Sequence, residues 1–166
     1  MNNLNSDFAK RTAFITGASM GIGKATALAF AKNGAQVAVV DLNSDEGMNV
    51  VRAIEKEDGK AIFIKCDVSK ESEVKSAVEK TVAHFGSLDY AFNNAGIEGQ
   101  QAMTPDCSAE NWEQVIGVNL KGVWLCMKYQ IPQMLKQGHG AIVNCSSIAG
   151  LIGFPGIPAY VASKHR

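Results

Sequence analysis

Short apolar runs alternate along this chain with segments in which apolar residues return every three or four positions. The first run, 13–15, ends at Thr16 and opens into glycines at Gly17, Gly21 and Gly23. These lead directly into the strong helix formers of 24–31, so the pattern predicts strand, tight turn, helix. Asn33-Gly34 closes that helix, and the continuous apolar run 36–40 reads as a strand buried on both faces and ended by Asp41. Asn43 with Glu46 three residues on predicts a capping box, with Met48, Val51 and Ile54 facing inward until Asp58-Gly59. A third strand is expected at 61–64. The next helix is capped by Ser69, turns Val74, Ala77, Val78, Thr81 and Val82 inward, and stops near Gly86. A fourth strand over 88–92 breaks at Asn93-Asn94-Ala95-Gly96.

An exposed loop with a short turn is expected over 97–108, where Pro105 lies, and then a long helix to Gly138. Its expected inward stripe is Trp112, Ile116, Leu120, Val123, Met127, Ile131 and Leu135, with Asn119 beside it needing partners if buried. A fifth strand over 141–145 runs into Ser146-Ser147 and a loop rich in Gly and Pro. Pro158 then suits the first turn of another helix. Strand and helix thus alternate throughout, which predicts an α/β fold with a doubly wound parallel sheet in three layers. In such sheets ligands bind beyond the carboxyl ends of the strands. Asp41, Asp67, Asn94 and Ser147 all fall at those ends, on the rim of the glycine turn. Glycine backbone there can approach a ligand closely, and the following helix N-terminus favours an anion such as a pyrophosphate.

Composition narrows the partners. Sixteen Lys and Arg balance sixteen Asp and Glu without forming a basic stripe, so nothing points to nucleic acid. The 166 residues suit a single domain, and no apolar run is long enough for a membrane span. The polar lead-in over 1–10 lacks the layout of a secretory signal. Cys66, Cys107, Cys126 and Cys145 are widely spaced and form no CxxC pair, and His84, His139 and His165 are isolated. No metal site is expected, and reduced thiols suit a cytoplasmic protein. Asn144-Cys145-Ser146 matches a glycosylation sequon by chance.

Five features in one order are family-specific: Thr16-Gly17-x-x-x-Gly21-x-Gly23, Asn93-Asn94-Ala95-Gly96, Asn119, Ser147 and Tyr160-x-x-x-Lys164. With them the chain resembles the short-chain dehydrogenases/reductases, from its first strand to its last residues. The resemblance implies a Rossmann-type fold and an oxidoreductase that exchanges hydride between a nicotinamide dinucleotide and a secondary alcohol or ketone. It implies that Gly17, Ser19, Gly21, Ile22 and Gly23 surround the pyrophosphate, and that Asp41 accepts hydrogen bonds from the adenosine ribose. Asp67 and Val68 would contact adenine, while Asn94, Ala95 and Gly96 would line the cofactor. A carboxylate at Asp41, flanked by apolar Met20 and Leu42, favours NAD over NADP.

The resemblance also assigns Tyr160 as acid/base, Lys164 as its activating cation and a grip on the nicotinamide ribose, and Ser147 as the donor to the substrate oxygen. Asn119 would expose a backbone carbonyl at a helix irregularity and hold a water linking Lys164 to solvent. The chemistry is demanding. A phenol ionises near pH 10, so acting as a base near neutrality needs a fall of roughly 3 pH units, about 4 kcal/mol of differential stabilisation. Lys164 lies four residues on, on the same helical face. Ser146 is the rival to Ser147, and the spacing to Tyr160 favours Ser147. Ile97, Glu98, Phe154 and Ile157 are candidates to touch substrate.

Relatives continue beyond the position of Lys164 through two further strands and a substrate-covering segment. The chain therefore reads as a fragment, a truncated product, or a protein that borrows those elements. A dinucleotide-binding module without catalysis is the alternative function, and a homo-oligomer, dimer or tetramer, is expected of the full-length protein.

Overall fold

The computed structural model describes residues 8–165, so most of the expected polar lead-in lies outside the described residues. Five strands form one sheet: β1 (Thr12–Thr16), β2 (Gln36–Asp41), β3 (Lys60–Lys65), β4 (Tyr90–Asn93) and β5 (Ala141–Asn144). Their spatial order is β3-β2-β1-β4-β5, and every pairing is parallel. The chain winds outward from β1 to β3, then returns to the other side of β1. The crevice between β1 and β4 is therefore the point where the winding reverses and where such sheets accept ligands.

Alternating residues of β1 to β4 feed two separate cores. Ile15, Val37 and Val39 pack with Ala27, Val50 and Ile54 on one face of the sheet. Those partners come from α1 (Gly21–Lys32) and α2 (Ser44–Glu55). Phe14, Ala38, Val40 and Ile64 pack on the other face with Val74, Ala77, Leu125 and Cys126. Burial of all five β1 residues follows from this double coverage.

Helix boundaries follow from identifiable signals, with three departures from the sequence expectation. The Asn43 side chain accepts from the Glu46 N–H at 3.2 Å, one half of the expected capping box, but the Asn43 N–H goes to Asp41 instead of Glu46; Met48 faces solvent and Val50 takes the inward place. Ser69 does not cap α3 (Glu71–Phe85). Its hydroxyl donates instead to Asp67 Oδ1 at 2.7 Å, and Lys70 occupies the cap position. The turn is closed by Glu73, whose carboxylate accepts from the Asp67 N–H at 2.8 Å.

The long helix shows the third departure. It comprises α4 (Ala109–Ile116), a π segment (Gly117–Lys121) and α5 (Gly122–Gln137). Its expected inward stripe lies mainly outside: Trp112, Leu120, Ile131 and Leu135 are exposed, Leu135 at 76%. The buried line is Asn111, Val115, Asn119, Gly122, Leu125, Cys126, Gln130 and Met134. Hydrophobicity alone selects the wrong line because the true one carries amides whose hydrogen bonds are satisfied inside. The Gln130 amide and Asn93 on β4 exchange bonds of 2.8 and 3.0 Å, and Asn93 donates a further bond to Asn144 on β5.

A 3₁₀ turn (Ile148–Gly150) follows β5, and α6 (Pro158–Lys164) begins with proline in its first turn. Val143 on β5 is exposed. Among the described residues, no helix is long and apolar enough to cross a membrane.

Candidate active site

Above the β1–β4 crevice lies a groove of about 690 Å³. The glycine turn forms one side, and each glycine serves a different physical end. Gly17 (φ +63°) stands where a Cβ would meet Ala95 Cα at 2.9 Å, and a Cβ at Gly23 would sit 2.1 Å from the Gly17 carbonyl oxygen. These two let β1, α1 and the chain after β4 approach closely. Gly21 (φ +52°) has no neighbour within 4 Å of its missing Cβ, so its side faces open space. Gly17, Ser19, Gly21 and Ile22 line the groove, whereas Gly23 is buried beneath it.

The rest of the rim assembles as the strand ends dictate. Asp41, at the end of β2, accepts from the Ser19 N–H and from the Asn43 N–H, both at 3.0 Å. The carboxylate is thereby fixed between the glycine turn and the start of α2. Asp67 and Val68 line the next section, and Asn94, Ala95 and Gly96 the section above β4. Burial by itself would raise the Asp67 pKa, but hydrogen bonds from Ser69 and the Lys70 ammonium outweigh it, leaving the carboxyl below its ordinary value. Cys66 also borders the groove, and burial with the nearby Glu73 and Asp67 carboxylates pushes its thiol up to about 12. It stays protonated.

Thr16, which the sequence offers only as part of a motif, ties the crevice together. Its Oγ1 accepts from the N–H groups of Asn94 and Ala95 at 2.9 and 3.0 Å. The Asn94 side chain returns a 3.0 Å bond to the Thr16 carbonyl. A hydroxyl residue at the last position of a strand that precedes a glycine turn was the available signal. Gln130 was missed as well, and its signal was a lone amide amid apolar helix residues.

Beyond the groove stand the proton-transfer candidates. Lys164 is only 9% exposed, and its ammonium donates to the Cys145 carbonyl at 3.0 Å and lies 5.7 Å from the centre of the Tyr160 ring. The same ammonium lies 3.8 Å from the point where a Gly96 Cβ would stand, beside the groove wall. Ser147 follows β5, and its Oγ accepts from the Ala149 N–H at 3.1 Å, which leaves its own proton available for donation. Ser146 is exposed, and its Oγ lies 3.3 Å from the missing Cβ of Gly150.

Asn119 sits within the π segment and is buried. Its Oδ1 accepts from the Ile97 N–H, and its Nδ2 donates to the Ile97 carbonyl, each at 2.8 Å. The second Nδ2 proton goes to Ser163 Oγ at 3.0 Å. The π segment is the helix irregularity expected at Asn119, and such bulges concentrate at functional sites. The two loops that flank this region, before α4 and before α6, are joined by a main-chain bond from the Ala102 N–H to the Gly156 carbonyl at 2.8 Å.

Comparison with known proteins identifies the family. A family model described as short chain dehydrogenase matches residues 11–166. A cyclohexanol dehydrogenase of Acinetobacter sp. (strain SE19) is 46% identical over 162 residues, 98% of this chain and 64% of the relative. A 3beta-hydroxysteroid dehydrogenase of Mediterraneibacter gnavus is 44% identical over 158 residues, covering 95% of this chain and 57% of its own length. The crystal structure of a levodione reductase superposes with a TM-score of 0.90 at 38% identity, over 95% of this chain and 62% of that one. That of an NAD+-bound xylitol dehydrogenase gives 0.92 at 34% identity, over 96% and 61%. The chain thus spans about three fifths of the length of these relatives. On its motifs, its reversed sheet winding and these matches together, it belongs to the short-chain dehydrogenase family.

Proposed function

We propose that this chain carries the cofactor groove and proton-transfer groups of an NAD-dependent oxidoreductase acting on secondary alcohols and ketones. The observation that carries the reading is the Lys164 ammonium, held both against the Tyr160 ring and beside Gly96 on the groove wall. One cation thereby joins the dinucleotide groove to the acid/base candidate. The groove itself fits such a cofactor: an open-faced Gly21 at a helix N-terminus suits a pyrophosphate, and the fixed Asp41 carboxylate suits a ribose diol. The same carboxylate disfavours a 2′-phosphate.

A bound nicotinamide dinucleotide supplies the hydride acceptor or donor. The remaining work falls to this chain's own residues. In oxidation the Tyr160 oxygen takes the proton of the alcohol hydroxyl, and in reduction it returns one to the carbonyl oxygen. Lys164, its ammonium beside the Tyr160 ring, grips the nicotinamide ribose. Ser147 donates its hydroxyl proton to the substrate oxygen and orients it. The Asn119 segment links Lys164 toward solvent for proton exchange.

Titration of this chain with NADH and with NADPH, followed by cofactor fluorescence, tests the cofactor reading. NADH is expected to bind at least about tenfold more tightly, and Asp41→Ala to collapse that ratio, since tenfold is about 1.4 kcal/mol. Equal binding of both by the unaltered chain counts against the assignment to NAD. Tyr160→Phe is expected to retain NADH binding and to abolish turnover of a cyclic secondary alcohol. Binding without turnover in the unaltered chain would favour a dinucleotide-binding module.

The exposed line of Trp112, Leu120, Trp124, Ile131 and Leu135 supports a second proposal, that a further copy of the protein covers this face of α4 and α5. Four free cysteines, two of them buried, fit a reducing cytoplasm.

A further inference from the structure

Gln130, midway along α5, is 0% exposed and takes no part in the proposed chemistry. Its carboxamide faces that of Asn93, which is also buried, and the two exchange a pair of bonds. Gln130 Nε2 donates to Asn93 Oδ1 at 2.8 Å, and Asn93 Nδ2 donates to Gln130 Oε1 at 3.0 Å. The second Asn93 Nδ2 proton goes to Asn144 Oδ1 at 2.9 Å, across the last paired residues of β4 and β5. Main-chain bonds continue the line. The Asn93 carbonyl accepts from the Cys145 N–H at 2.9 Å, and the Cys145 carbonyl accepts from the Lys164 ammonium at 3.0 Å. A run of hydrogen bonds thus leads from α5, through the ends of β4 and β5, to the cation beside Gly96 on the groove wall.

We infer that Gln130 is a positioning residue: by clamping Asn93 it fixes the carboxyl end of β5, and with it the Cys145 carbonyl that holds the Lys164 ammonium at the groove. Stability alone does not call for amides here, since two apolar side chains of similar size are buried at no greater cost. Amides add direction. A hydrogen bond weakens steeply as it bends, so the reciprocal pair allows the Asn93 carboxamide one orientation, with its remaining proton aimed at Asn144. Leucine at 130 leaves the Asn93 oxygen and one N–H unpaired in the core. The carboxamide then turns toward other partners, and the tie to Asn144 is lost. The Cys145 carbonyl, one residue on, no longer has a fixed place, and neither has the ammonium that it anchors.

This inference rests on the grip of Lys164 on the nicotinamide ribose, and its test separates the two. NADH spans that ribose, whereas ADP reaches only the adenosine and pyrophosphate part of the groove. Calorimetric titration of Gln130→Leu is expected to show NADH affinity about tenfold lower, as loss of a hydrogen bond to a charged group implies, with ADP affinity within about twofold of the parent. The double variant, Asn93→Leu with Gln130→Leu, removes both amides, so stability is expected to recover while NADH affinity stays low. Recovery of NADH affinity together with stability overturns the inference, because the amide pair would then be only structural. Equal losses of NADH and ADP overturn it too, as does no loss of either. Should the leucine protein not fold, Asn144→Ala cuts the same tie at an exposed residue and is expected to give the same split between NADH and ADP. A second readout needs no cofactor. Acetic anhydride labelling, located by mass spectrometry, is expected to modify the 9% exposed Lys164 slowly in the unaltered chain. The rate is expected to rise about fivefold or more in Gln130→Leu and in the double variant, with exposed Lys136 as the internal reference. If the unaltered chain binds NADH no more tightly than ADP, or not at all, the ribose grip fails and the labelling alone decides for Gln130. An unchanged Lys164 rate overturns the inference in either case.

Discussion

At the residue scale, the crevice depends on a few atoms whose removal has unequal consequences. Thr16 Oγ1 serves two main-chain donors at once, so Thr16→Val is expected to destabilise the protein by about 2 kcal/mol, while Thr16→Ser stays near the parent. Urea unfolding followed by far-ultraviolet circular dichroism measures both. The glycines separate as sharply. A methyl group at Gly23 would overlap the Gly17 carbonyl, and neither backbone has room to yield, so Gly23→Ala is expected to cost about 3 kcal/mol or more. At Gly21 the methyl meets nothing, and only the left-handed backbone resists, so Gly21→Ala is expected to cost about 1 kcal/mol. The same unfolding curves rank the two, and equal losses would contradict the packing argument.

Among the elements, the amino-terminal edge of the sheet is locked by a group far from the groove. Asp89 precedes β4 and accepts from the Thr12 N–H, the Arg11 guanidinium and the Ser87 hydroxyl, with His139 against the same carboxylate. Burial tends to raise its pKa, but these bonds prevail and hold it below the ordinary carboxylate range. A depressed folded value means that the stabilisation is fully present above the unfolded carboxylate value, about 3.9, and is lost as pH falls through the folded one. Asp89→Asn is therefore expected to lower stability at neutral pH and to flatten the loss below about pH 4. Urea midpoints collected from pH 7 down to about pH 3 provide the check.

The elements also show what sequence patterns reveal. The strand runs were legible because β1 and β2 are apolar on both faces, which only a doubly covered parallel strand requires. The glycine turn and the residues at the strand ends were legible for the same reason: once the strands are placed, the rim is placed. The orientation of α4 and α5 was not legible, because two candidate lines lie one position apart. The buried line holds Asn111, Asn119 and Gln130, whose suitability depends on partners on other elements that no local pattern contains. Ser69 failed as a cap for a similar reason, since Asp67 two residues earlier competes for its hydroxyl. Asn119 stands between these cases. Its need for partners was readable, but their identity came only from the tertiary structure.

For the whole molecule, the apolar line turned outward on α4 and α5 is a feature that this chain leaves uncovered among its described residues. Trp124 and Leu135 are 52% and 76% exposed. If a second copy covers this face, Trp124→Glu combined with Leu135→Glu is expected to abolish concentration-dependent association in sedimentation velocity while leaving NADH affinity within about twofold. Persistence of the larger species in that variant would place the contact elsewhere.

The bond between Ala102 and Gly156 carries a mechanical implication. The segments before α4 and before α6 are distant in sequence but share one amide link, so a displacement of either is transmitted to the other. A molecule pressing on one segment would therefore be felt through the other.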